Sequence, residues 1–278
     1  MPLLPTSLTI SDDEFRSVRD LVHQRFGIHL GDGKRALVIG RLQKTLRQGG
    51  FTTFADYYRF VVDEPSGQGL SDLVNAISTN HTYFFREAEH FTIFSQEVLP
   101  RCLERHAQDR DLRIWCAGCS SGEEAYVLAM LILDGLGHDR SRWNAGLLAT
   151  DISQKALAVA EAGIYPDERV QQIPAALRNR YWSRLDDKRW QATEPLRQEI
   201  TFRRFNLMND RFPFRQPFDV IFCRNVMIYF DQDTRQRLVQ RFYDHTISGG
   251  HLFIGHSESL GRDRSPYRYL RPALYIKD

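Results

Sequence analysis

The sequence predicts an open, mainly parallel α/β sheet with helices on both faces, preceded by a small all-helical segment. Three observations carry that reading. From 112 to 136 the order is apolar strand, small-residue loop, helix. Leu112, Ile114 and Trp115 lead the strand, AGCSSG follows at 117–122, and Ala125, Leu128, Ala129, Ile132 and Leu136 recur at helical spacing. Strand-like and helical runs then alternate to the end of the chain, the pattern of βα units. Upstream, residues 1–75 show only helical periodicity.

The elements follow in order. Ser11-Asp12-Asp13-Glu14 opens like a capping box, and Phe15, Val18, Leu21, Val22 and Phe26 make the apolar stripe of a helix that Gly27 ends. A second helix covers 34–48 and stops at Gly49-Gly50. A third begins near Thr53 with Phe54, Tyr57, Tyr58 and Val61; PSGQG at 65–69 breaks the chain, and a fourth covers 70–78. A helix at 90–110 leads into a strand at 112–116. Further strands are expected at 145–150, 200–205, 218–223 and 251–255, with a last one near 269–276. Helices are expected near 123–136, 153–162 and 233–246. The loop before the last strand is too short for a crossover helix, so that strand enters antiparallel. Residues 164–199 break the rhythm with a helix near 174–182 and two short runs around Asp186-Asp187, read as a hairpin insertion.

Composition narrows the function. A chain of 278 residues suits one large domain, or a small one with a medium one. The 42% hydrophobic and 12% aromatic content supplies a core. A net charge of +2 gives no electrostatic case for nucleic acid. No apolar run approaches the ~20 residues that cross a bilayer. The start MPLLPTSLTI lacks the basic region and long apolar core of a signal peptide. Four cysteines make no disulfide framework. The expectation is a cytoplasmic protein without membrane insertion.

The loop at 117–122 is the entrance to a ligand site, because Gly118 and Gly122 let the backbone turn tightly and the next helix presents unpaired N–H groups. Glu123 and Glu124 stand where a phosphate cradle would carry Lys-Ser/Thr, so the loop disfavours pyrophosphate. Asp151 ends the next strand, where an acid accepts from both ribose hydroxyls. Together these favour a nucleoside that carries positive charge and no phosphate, as S-adenosylmethionine does. The plainer reading of the two glutamates is that they complement the helix dipole. Arg224 and Asn225 directly follow the apolar strand at 218–223, at the edge where ligands sit in such sheets. Cys116 and Cys119 form a C-x-x-C between strand and helix, so a redox dithiol is a rival reading. On the second helix Lys34, Arg41, Lys44 and Arg47 share one side and Val38, Leu42 and Leu46 the other. The plainer reading there is a solvated amphipathic face.

Six ordered blocks stand out across the chain: GIHLGDGKRALVIGRLQKTLRQGGF at 27–51, TNHTYFFRE at 79–87, AGCSSGEEAY at 117–126, ATDIS at 149–153, FDVIFCRNVMIYF at 218–230 and GHSES at 255–259. Together they resemble the chemotaxis receptor methyltransferases of the CheR type. The resemblance implies a helical receptor-docking domain at 1–78, a linker at 79–90 that contributes to the cofactor site, and a Rossmann-like methyltransferase domain at 91–278 with a small antiparallel β insertion at about 164–199. It implies transfer of a methyl group from S-adenosylmethionine to glutamate side chains of membrane chemoreceptors. The products are glutamate methyl esters and S-adenosylhomocysteine, and no metal is involved. The cofactor-binding set implied is Asn80, Thr82, Arg86, Gly118, Glu123, Glu124, Asp151, Asn206, Leu207, Arg224 and Asn225. Arg86 and Tyr229 are the implied catalytic residues, positioning the substrate carboxylate. The basic helix face would dock on the acidic cytoplasmic methylation helices of the receptor. Family members that tether to a receptor's C-terminal pentapeptide carry a glycine-rich loop in the β insertion, whereas here no glycine occurs between Ile164 and Phe205. The expectation is therefore a pentapeptide-independent, monomeric enzyme. Glu258 reads as exposed and has no assigned role. A silent S-adenosylmethionine sensor and a methyltransferase with another acceptor stay open as alternatives.

Overall fold

Ser11 starts the first helix, α1 (Asp12–Phe26), by accepting the Glu14 N–H while the Glu14 carboxylate accepts the Ser11 N–H. The helical unit continues with α2 (Arg35–Gly49), α3 (Phe54–Asp63) and α4 (Gln68–Ile77). Phe15, Val22, Val38, Leu42, Phe54, Tyr57 and Leu73 make its own buried core. The computed structural model describes residues 9–78, 80–261 and 265–278. Thr79, the first residue of the expected linker, lies outside them.

One expected helix becomes two pieces. α5 (Glu89–Ile93) and α6 (Leu99–Arg105) are joined through a wide helical turn at Phe94–Val98. The sheet then begins with β1 (Asp111–Ala117), α7 (Glu123–Leu136), β2 (Asn144–Asp151) and α8 (Gln154–Ala162). The insertion comprises β3 (Ile164–Pro166), α9 (Asp167–Val170), α10 (Ala175–Tyr181), β4 (Trp182–Arg184), β5 (Arg189–Ala192) and α11 (Glu194–Gln198). Its strands form a separate antiparallel sheet ordered β3-β5-β4, with Asp186 and Asp187 in the turn as expected. The main sheet resumes with β6 (Ile200–Arg204), β7 (Phe218–Cys223), α12 (Gln232–Asp244), β8 (Thr246–Ile254), β9 (Arg268–Arg271) and β10 (Leu274–Ile276).

The seven strands run β6-β2-β1-β7-β8-β10-β9. The first five are mutually parallel, and β10 enters antiparallel to β8. The expected single terminal strand is a hairpin. Pro272 has no N–H for a ladder and Ala273 takes a left-handed φ of 60°, so the chain turns between β9 and β10. Strand order reverses between β1 and β7, so a crevice opens above their carboxyl ends.

Each face of the sheet carries an apolar layer. Ile114 and Cys116 of β1 face one; Trp115 and Ala117 face the other. Trp115 is fully buried against Phe205, Phe212, Phe214, Phe218 and Phe242, and its Nε1–H donates to Thr150 Oγ1 at 2.9 Å. Trp115→Ala should cost about 3–5 kcal/mol in urea unfolding. A loss under about 1 kcal/mol, the range of an ordinary surface change, would show that this layer does not hold the sheet.

Candidate active site

The carboxyl ends of β1, β2, β6 and β7 converge on one cavity, and the helical unit closes it. Phe26, Ile28 and Ile77 come from that unit; Asn80, Thr82 and Arg86 from the linker; Gly118, Ser120 and Glu124 from the β1–α7 turn. Asp151 ends β2, Asn206 and Leu207 follow β6, and Arg224, Asn225 and Tyr229 follow β7. Of the eleven expected cofactor residues, only Glu123 is missing from the lining. The two halves are stitched together beside the cavity. Ile28 pairs with Phe230, the His29 N–H donates to the Tyr229 carbonyl at 2.7 Å, and Asn206 Nδ2 donates to the Arg25 carbonyl at 2.7 Å.

The turn at 118–122 needs its glycines. Gly118 has φ 90°, and a Cβ there would lie 2.4 Å from Val226 Cγ2. Gly122 has φ 95°, and a Cβ there would lie 2.7 Å from the Ala160 methyl. The N–H groups of Gly118 and Cys119 both donate to the Thr150 carbonyl, which pins the turn to the end of β2. Asp151 is buried. Its Oδ2 accepts the Ser120 N–H and its Oδ1 the Ser153 N–H, each at 2.8 Å, leaving each oxygen able to accept a further bond. Burial raises the Asp151 pKa, and the backbone N–H bonds offset only part of that.

The adjacent glutamates separate. Glu123 is fully buried away from the cavity, where it accepts from Ser121 Oγ at 2.7 Å and pairs with Arg169. That overturns the expectation that it meets the cofactor. Glu124 faces the cavity and pairs with Arg224 Nη1 at 2.6 Å. Arg224 also pairs with Glu87 at 3.0 Å and donates to the Arg86 carbonyl, and its guanidinium lies over the Phe91 ring. Its two terminal nitrogens are therefore taken by protein. Glu87, not singled out in the sequence, also accepts from Asn225 Nδ2 at 3.1 Å and from the His256 N–H at 3.2 Å. Burial raises its pKa, but Asn225 and Arg224 lower it further, and the net shift is downward. Glu87 is charged at neutral pH. Arg86 donates to the His81 carbonyl at 2.8 Å and makes no ion pair among the described residues.

Two sequence readings change. The C-x-x-C thiols are buried, and burial pushes both well above the ordinary cysteine range, the reverse of what a reactive dithiol needs. The basic face of α2 is real: Val38, Leu42 and Leu46 are buried behind it, and Lys34, Lys44 and Arg47 are exposed. Arg41 is different. It is half-buried and donates to the Ile77 carbonyl, on the cavity wall. No helix among the described residues is long and apolar enough to cross a membrane.

Comparison with known proteins agrees with this geometry. Residues 13–78 match the all-alpha domain of CheR methyltransferases, and residues 80–274 match their SAM-binding domain. A chemotaxis protein methyltransferase of Borreliella burgdorferi is 40% identical over 274 residues, covering 98% of this chain and 96% of its own. Chemotaxis protein methyltransferase 2 of Pseudomonas aeruginosa is 38% identical, covering 89% and 87%. The Escherichia coli chemotaxis protein methyltransferase is 37% identical, covering 91% and 86%. The chain belongs to the CheR methyltransferase family, and its cofactor is S-adenosylmethionine.

Proposed function

We propose that this chain transfers a methyl group from S-adenosylmethionine to glutamate side chains on the cytoplasmic methylation helices of membrane chemoreceptors, acting as a protein-glutamate O-methyltransferase. The observation that supports it is the charge layout of the cavity. Acids (Asp151 and Glu124) line one part, a neutralised arginine lies between, and Arg86 stands without an ion partner among the described residues. In this reading Asp151 receives the ribose hydroxyls, Glu124 faces the methionine end, and Asn206 and Leu207 flank the adenine. Asn80, Thr82, Gly118 and Asn225 complete the wall.

S-adenosylmethionine supplies an activated methyl group on a sulfonium. The acceptor needs no general base, because a glutamate with its usual pKa of ~4.3 is already ionised at neutral pH. The protein's task is alignment and exclusion of water. Arg86 holds one carboxylate oxygen so that the other points at the methyl carbon, without binding so tightly that it quenches attack. Tyr229 orients the carboxylate from the opposite loop, while Phe230 and Ile28 keep that side dry.

The helical unit at 1–78 is the docking domain, and 79–90 is the linker that carries Arg86. Lys34, Lys44 and Arg47 present the charge that meets acidic receptor helices, while Arg41 braces the cavity wall. The turn at 185–188 offers no glycine for a peptide backbone to approach. Contact is then confined to the methylation region, and the chain acts as a monomer.

Titration should give heat with S-adenosylhomocysteine and none with ATP or NAD, and labelled cofactor should leave alkali-labile methyl groups on receptor-containing membranes. Binding of ATP in place of the cofactor product would remove the whole reading. Methyl label appearing elsewhere than on carboxylates would remove the acceptor. Arg86→Ala should cut turnover at least about a hundredfold, the scale of a lost charged positioning contact, with the fold intact. Unchanged turnover would take Arg86 out of the mechanism. Reversing Lys44 and Arg47 to Glu should raise the KM for receptor several-fold and leave S-adenosylhomocysteine affinity unchanged. Equal receptor kinetics would dispose of the docking face.

A further inference from the structure

Glu258 departs furthest from its sequence reading. It follows β8 in the GHSES segment, and the structure buries it. Its Oε2 accepts the N–H of Gly255 at 2.6 Å and of Asn225 at 2.9 Å; its Oε1 accepts the N–H of Ile228 at 3.2 Å. A carboxylate ringed by three backbone donors makes strong, charge-assisted bonds. Two of those donors belong to the loop at 224–229, which supplies Arg224, Asn225, Val226 and Tyr229 to the cavity wall. Glu258 itself does not line the cavity.

The loop needs holding. Asn225 sits at φ 57°, in the left-handed region that residues with a side chain adopt rarely, asparagine the least reluctantly. Glu258 takes its N–H, and Glu87 takes its side-chain amide. The backing is close. A Cβ on Gly255 would fall 2.5 Å from Asn225 Nδ2 and 2.9 Å from both the Asn225 nitrogen and Glu258 Oε2. Strain, an anchoring carboxylate and a snug glycine therefore meet at one point behind the wall.

We propose that Glu258 is a positioning residue for methyl transfer: its carboxylate locks the 224–229 loop in the conformation that presents Asn225 and Tyr229 to cofactor and acceptor. This rests on the functional reading above. In Glu258→Gln the amide turns N–H groups toward N–H groups, so at least one anchoring bond is lost at nearly unchanged volume. Hydrogen exchange should then quicken at the amide of Asn225 or of Ile228, whichever faces the new amide nitrogen, but not in α2. The Kd for S-adenosylhomocysteine should weaken and kcat fall, each by roughly tenfold or more, as expected for a lost bond to a charged group. The receptor KM should change less than kcat, because the charges assigned to docking lie on α2 and not on this loop. If Glu258→Gln fails to fold, Gly255→Ala disturbs the same contact from its other side.

Wild-type exchange in the variant would overturn the proposal. So would faster exchange with unaltered Kd and kcat per active site, which leaves Glu258 a purely structural role. Should the unmutated chain show no affinity for S-adenosylhomocysteine, the functional reading and this proposal both fall, an outcome told apart because the wild type alone reveals it.

Discussion

The site depends on one buried cation. The Arg224 side chain is 1% exposed, and removing a guanidinium from water costs several kcal/mol unless its charge is met. Glu124 meets it from the first turn of α7, and Glu87 and the Arg86 carbonyl from the linker. Two segments distant in sequence are thereby fixed to the tip of β7. Withdrawing either carboxylate would leave the charge partly unmet, which is why the arrangement is rigid rather than merely attractive. The polar atoms around the cavity are held by protein partners, the condition under which fixed dipoles aid a reaction most.

Conformational strain gathers at the same place. Phe85, Glu87, Ser120 and Asn225 all have positive φ without being glycine, and each lies in the linker or in a turn at the carboxyl rim. Such conformations persist where surrounding bonds over-determine them. Glu87 holds Asn225, and the Ser120 N–H donates to Asp151, so the strained residues restrain one another or the acids beside them.

Much of this was legible in the chain, and the part that was not has a physical cause. Local rules worked where structure is local: the Ser11–Glu14 cap, the stop at Gly27, the strand-turn-helix at 112–136 and the hairpin around Asp186-Asp187. Asp151 and Asn225 could be placed at the rim because each follows a strand. Glu123 and Glu124 could not be told apart. Neighbours on a helix point about 100° apart, and only tertiary packing decides which one faces the cavity. Glu258 looked exposed and Glu87 drew no reading, because most of their partners lie far along the chain, which no local pattern reveals. The C-x-x-C spacing left a rival redox reading open, yet burial decides thiol chemistry, and spacing does not encode burial.

Phe26, Ile28 and Ile77 make the helical unit a wall of the same cavity whose floor is the sheet. A molecule seated there touches both units at once, so its binding free energy also opposes their separation. Ligation then welds two bodies into one cooperative block, and the melting temperature rises with ligand concentration by mass action. By the reciprocity of linked equilibria, a partner that binds the joined units better than the separated ones tightens the pocket's hold on its occupant.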